Sequence, residues 1–71
     1  MTRSFEYIAG TSAKFWEISV NDLDCTVRFG KIGTHGQSLT KTFFDPGATL
    51  RHAEKLITEK LGKGYVELAV K

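Results

Sequence analysis

The 71-residue chain carries ten Lys and Arg against eight Asp and Glu, a formal charge of +2, with 41% apolar residues. That allows one small domain with one modest core, and no stretch approaches the ~20 apolar residues a membrane-spanning helix needs. One cysteine, Cys25, excludes an internal disulfide and a Cys-rich zinc site, and His35 and His52 do not form a metal-ligand spacing.

Residues Thr2 to Ala9 alternate loosely, with Phe5 and Tyr7 against Ser4, Glu6 and Ile8, and read as a first, edge-like strand. Gly10 to Ala13 is a turn. Lys14 to Val20 alternates cleanly, placing Trp16, Ile18 and Val20 on one face and Phe15, Glu17 and Ser19 on the other. Such a period of two argues a half-buried strand, with Trp16 in the core. Asn21 to Asp24 supplies turn formers for a hairpin into a strand from Cys25 to Ile32. Gly33 to Gln37 turns the chain again, and Ser38 to Phe44 gives a fourth strand.

At Asp45-Pro46 the pattern changes from sheet to helix, because Asp is a favoured N-cap and Pro suits the first helical position. Leu50, Ala53, Leu56, Ile57 and Leu61 then recur at helical spacing as one apolar stripe, with Arg51, Glu54, Lys55, Thr58 and Glu59 opposite. Gly62 and Gly64 are available to close the helix. Tyr65 to Val70 alternates once more as a short last strand. The fold class is therefore α+β, a small antiparallel sheet of four to five strands with one helix on one face and the other face free. Residues 1–71 read as a single domain without repeats or linkers.

The most informative stretch is Val27 to Gln37, a strand that leaves as a turn punctuated by Gly30, Gly33 and Gly36. Arg28, Lys31 and His35 give it positive charge, and no acid lies between Asp24 and Asp45. An aromatic ring, basic side chains and bare backbone suit a sugar–phosphate partner better than bond-making chemistry. The bland alternative is a solvated strand face that happens to lack acids.

Lys14-Phe15-Trp16-Glu17-Ile18, the run Val27 to Thr34 with Gly36-Gln37, Lys41-Thr42-Phe43 and the helix ending Lys60-Leu61-Gly62-Lys63-Gly64-Tyr65 together resemble the WGR domain. The resemblance covers nearly the whole chain and implies a small antiparallel sheet with one helix. The family occurs in DNA-dependent poly(ADP-ribose) polymerases and in bacterial proteins described as regulators of molybdate metabolism. In the polymerases it senses DNA breaks, with the tryptophan of the Trp-Gly-Arg triplet packing on a strand-end sugar and the arginine coupling domains. Carried over, the triplet positions are Phe29, Gly30 and Lys31. Phenylalanine keeps a flat face but lacks the indole donor, and lysine keeps the charge but lacks the planar fork. No polymerase catalytic region matches, so ADP-ribosyl transfer is not implied.

The candidate nucleic-acid-binding residues are Arg28, Phe29, Gly30, Lys31 and Lys41. Phe29 alternates with Val27, so it is either core or, if Gly30 admits a bulge, a stacking face. Tyr65 reads as packing, with a hydroxyl within reach of a phosphate as the minor option. Cys25 and the two histidines lack the third partner that a nucleophilic site requires, so a non-enzyme without cofactor or metal is expected. The N-terminal residues, with Arg3 and Glu6, do not form a signal-peptide pattern, so a cytoplasmic location away from membranes is expected. The expected partner is DNA, held weakly and in a salt-dependent way, rather than a small molecule. The alternative is a protein-interaction module of a bacterial regulatory complex.

Overall fold

The computed structural model describes residues 1–68. Four strands form a meander, β1 (Thr2–Ala9), β2 (Ser12–Asn21), β3 (Asp24–Lys31) and β4 (Gln37–Thr42), followed by helix α1 (Pro46–Gly62) and a short β5 (Val66–Glu67). All pairings are antiparallel, in the order β4-β3-β2-β1-β5. The expected α+β class is the observed one. β1 is not an edge, because β5 returns to pair with Phe5 and Glu6 on its outer side. Ala69 and Val70 of the expected last strand lie outside the described residues.

The β2–β3 hairpin sets the register. Asn21 pairs with Asp24 across the two-residue turn Asp22-Leu23, and Asp22 takes a left-handed φ of 57° that Asp tolerates. From there Val20 faces Cys25, Ile18 faces Val27, Trp16 faces Phe29 and Lys14 faces Lys31 without interruption. No bulge intervenes, so Phe29 stays on the face of Val27 and Trp16. Phe5, paired with Trp16, completes that row.

This face receives the helix. Phe5, Trp16, Ile18 and Cys25 pack with Ala53 and Ile57 as the buried core, rimmed by Val20, Val27, Phe29, Phe43, Leu56 and Tyr65. The core row of α1 is Thr49, Ala53 and Ile57, whereas Leu50 and Leu61 of the expected stripe are 44% and 48% exposed. At 100° per residue those two leucines lie at the border of the stripe, and a sheet this narrow does not reach them. Thr49 takes the inward place because its hydroxyl donates to the Asp45 carbonyl at 3.1 Å, leaving no unpaired buried polar atom there.

Both ends of α1 are closed by their own residues. The Asp45 carboxylate accepts the Ala48 N–H at 2.9 Å, with Pro46 in the first turn. At the other end Gly62 is still helical and Lys63 is the cap. Gly64 N–H donates to the Leu61 carbonyl and Tyr65 N–H to the Lys60 carbonyl, both at 3.1 Å. This is a Schellman closure, with Gly64 at a φ of +98°. It folds Tyr65 back beside Lys60.

The face without the helix is polar and internally paired. Thr2 meets Ser19 at 3.2 Å, Thr26 meets Thr40 at 2.8 Å, and the Thr42 hydroxyl donates to Asp24 at 2.6 Å. Beyond β3 the loop 32–36 folds back on the strand, bringing the Gly36 Cα within 2.8 Å of where a Gly30 side chain would begin. At Gly36, φ is +69° and an added Cβ would lie 2.2 Å from the Phe29 carbonyl oxygen. Gly36→Ala is therefore expected to cost about 3 kcal/mol in chemical denaturation, from overpacking and left-handed strain together. A loss below about 1 kcal/mol would show that the loop moves freely. Asp45→Ala should cost about 1 kcal/mol by removing the cap alone.

Candidate nucleic-acid interface

The uninterrupted register divides the residues singled out in the sequence. Phe29, Lys31 and Lys41 lie on the helix side of the sheet, and Arg28 and Gly30 on the other. Lys31 and Lys41 are also far apart, because Lys31 faces Lys14 and Lys41 faces Cys25 at the opposite end of β3. Six residues of strand between them span ~20 Å. Five candidates chosen for adjacency in sequence do not form one surface.

Arg28 is occupied by its own chain. Its guanidinium donates to the His35 carbonyl at 2.9 Å, lies 3.4 Å from Glu17 and sits 4.6 Å from the centre of the Phe15 ring. These contacts hold the 32–36 loop against the sheet. Gly30 is equally structural, since it makes room for Gly36. Lys41 lies over Phe43, 5.3 Å from the ring centre.

What the structure brings together is different. The ends of β2 and β3 and the last turn of α1 enclose a cleft of about 350 Å³ lined by Lys14, Phe15, Phe29, Gly30, Lys31, Lys60 and Tyr65. Lys14 and Lys31 are directly opposed across the hairpin, an arrangement of like charges that is unfavourable in a sheet. Lys60 reaches over the Trp16 and Tyr65 rings, 5.6 and 5.2 Å from their centres. Among the described residues the two ion pairs are Arg3–Glu67 and Glu17–Arg28, so neither neutralises these lysines.

The Lys60 ammonium shows the consequence. Partial burial pushes its pKa below the ordinary lysine value, the Lys63 and Lys14 charges push further the same way, and Glu59 offsets part of it. An aromatic bed and the carbonyl end of α1 favour the charged form, yet the net direction is down. A bound anion would reverse it. Chemically, the cleft offers three ammonium donors above half-buried ring faces, which suits a phosphate joined to a flat or apolar group.

Sequence reasoning found Phe29 and Lys31, and missed Lys14 and Lys60. Lys14 was detectable, because the hairpin register that joins Asn21 to Asp24 also joins Lys14 to Lys31. Lys60 was not, since its place depends on how α1 docks. Trp16, 3% exposed, and Cys25, also 3%, are core as expected. Burial raises the Cys25 thiol pKa, which disfavours the reactive thiolate. Among the described residues no cluster of His, Cys, Asp and Glu could hold a metal ion, and no helix is long and apolar enough to cross a membrane.

Titration of the Lys60 side chain by NMR should give a midpoint below the ordinary lysine value, rising towards it in Lys63→Ala. An unshifted midpoint would mean that the cleft is open to solvent and its lysines do not interact.

The model of the WGR domain family matches residues 1–71. Protein YehF of Escherichia coli strain K12 is 42% identical over 67 residues, covering 94% of this chain and 24% of that protein. YfeS of the same organism is 39% identical over 67 residues, covering 94% and 28%. A Bacteroides fragilis protein of known crystal structure superposes with a TM-score of 0.94 at 45% identity, covering 97% of this chain and 20% of that one. The chain thus spans about a quarter of the length of these curated relatives.

Proposed function

The chain belongs to the WGR domain family, and from that premise we propose that it is a DNA-binding module. It holds sugar–phosphate backbone in the Lys14–Lys31–Lys60 cleft, with little sequence specificity. The observation that carries this reading is the convergence of three lysines, unpaired among the described residues, beside Phe29 and Tyr65. Like charges held together without a carboxylate cost stability, and a phosphate is the ligand that relieves them. The resemblance to break-sensing modules supports the same partner.

On this reading the parts divide as follows. Phe29 is half-buried, packed on the core at its inner side and lining the cleft at its outer side, so it offers a fixed ring face for a sugar or base. Lys31 and Lys14 hold one side of the phosphate and Lys60 the other. Among the described residues the cleft wall carries no Arg, Asn or Gln, and its lysines act as point charges without a planar fork, which favours backbone over sequence. The reading is of a binder, not an enzyme, because the cleft presents donors and rings but no carboxylate, imidazole or thiol.

Fluorescence anisotropy with short labelled duplexes tests this. Affinity should fall between ~50 and ~200 mM salt with a log–log slope of about −0.9 for the one phosphate neutralised. Lys31→Glu with Lys60→Glu should abolish binding, whereas Arg28→Gln should change it less than threefold. Phe29→Leu should weaken it about fivefold, for roughly 1 kcal/mol of stacking. A 5′-phosphorylated blunt end bound better than a hairpin-closed duplex would place strand ends in the cleft, and equal binding would make it a general backbone site. Binding that survives the Lys31/Lys60 reversal would refute the assignment.

A further inference from the structure

The β4 edge of the sheet carries a second feature. β4 pairs with β3 on one side only, and all six of its residues are exposed. Beside it, between β4 and α1, runs a groove of about 280 Å³ walled by Cys25, Val27, Leu39, Lys41, His52 and Leu56. Leu39 is 61% exposed above that groove, and Phe44, just past the strand, is fully exposed.

Protein chains usually blunt such edges with charged side chains, lysine above all, or with prolines, bulges or very short strands. β4 has no proline or bulge, and its register with β3 is continuous from Gln37 to Thr42. Its one charge is Lys41, which lies on the groove side and has no carboxylate partner among the described residues. The run Cys25 to Phe44 contains Arg28, Lys31 and Lys41 but no Asp or Glu. Asp24, at the end of β3, already accepts a hydrogen bond from Thr42. The free edge is therefore polar apart from Leu39, with one cation, Lys41, beside an apolar groove that an acidic partner could enter while neutralising that lysine.

We propose that β4 is a docking strand for an extended acidic segment of another protein, which adds to the sheet and seats an apolar side chain in the β4–α1 groove. Main-chain bonds to the open edge would give affinity, and the groove would select every second side chain of the incoming strand. Leu39 and Lys41, two apart on β4, share the groove face, so the incoming strand carries on that one face an apolar residue for Leu39, Val27 and Leu56 and, two residues along, a carboxylate beside Lys41. A second copy of the chain fits less well, because it brings its own Lys41 to the same short edge. This proposal does not rest on the DNA cleft: the two sites share no lining residue, with Val27 in the groove and Phe29 in the cleft two residues, ~7 Å, apart on β3.

The test uses a fluorescein-labelled ten-residue Val/Glu peptide in which Thr occupies every second position and Val and Glu take turns between (Thr-Val-Thr-Glu repeating), so that Val and Glu share one face. Saturable binding is expected, with amide shifts in NMR spectra concentrated at residues 37–42. Leu39→Glu with Lys41→Glu should weaken it at least tenfold and leave duplex binding within twofold. Both positions are exposed, so the variant should fold, and Leu39→Ser serves as the readout if it does not. A Val/Lys peptide, or one with a central proline, should fail to bind. Equal binding of either control would overturn the proposal, as would no binding of the Val/Glu peptide at 1 mM. Concentration-dependent dimerisation abolished by Leu39→Glu would overturn it in favour of a second copy.

Discussion

The two-residue hairpin at Asp22-Leu23 fixes which side of the sheet every residue of β2 and β3 faces. A slip of one residue would turn Trp16, Ile18, Val27 and Phe29 outward and leave α1 nothing apolar to cover. With the register as it stands, those side chains and Phe5 meet Ala53 and Ile57, and a core small enough for this chain is closed. The same register sets Lys14 against Lys31. Folding and charge placement therefore have one origin: the alternation that buries the apolar row brings two lysines together at its open end.

The helix contributes in a complementary way. Its Schellman closure turns the chain back so that Tyr65 lies against Lys60 and, on its other side, 5.4 Å from Tyr7. Tyr65 is thus both a rim residue of the core and a wall of the cleft. Lys60 belongs to both as well, with its ammonium over the rings of Trp16 in the core and Tyr65 in the cleft wall. The cleft is built from the periphery of the core, which explains how so small a domain forms a shaped site without spending separate residues on it.

Much of the fold was legible because local signals were strong and agreed with one another. Period-two alternation marked β2, and Asp45-Pro46 marked the start of α1 to the residue. Trp16 as core followed from alternation alone. The helix stripe was less legible: hydrophobicity favoured Leu50 and Leu61 over Thr49, whose local hydrogen bond makes it a suitable inward residue. At the site, proximity in sequence misled. Arg28 and Lys31 share a stretch of chain but, three apart on a strand, must face opposite ways. The open face looked available for a partner because the helix does not cover it, yet its polar groups are largely occupied with one another.

The back-to-back contact of Gly30 and Gly36 divides the Phe29-Gly30-Lys31 triplet into parts under unlike constraints. The middle position answers to the chain's own loop, and any side chain there collides with backbone. The outer two, Phe29 and Lys31, answer to whatever enters the cleft. A tryptophan or an arginine in those places would change ring area and donor geometry at the opening while leaving the loop, the hairpin and the helix dock as they are. On the proposed reading the triplet is an interchangeable tip on a fixed mount, through which one scaffold is fitted to differently shaped anionic ligands.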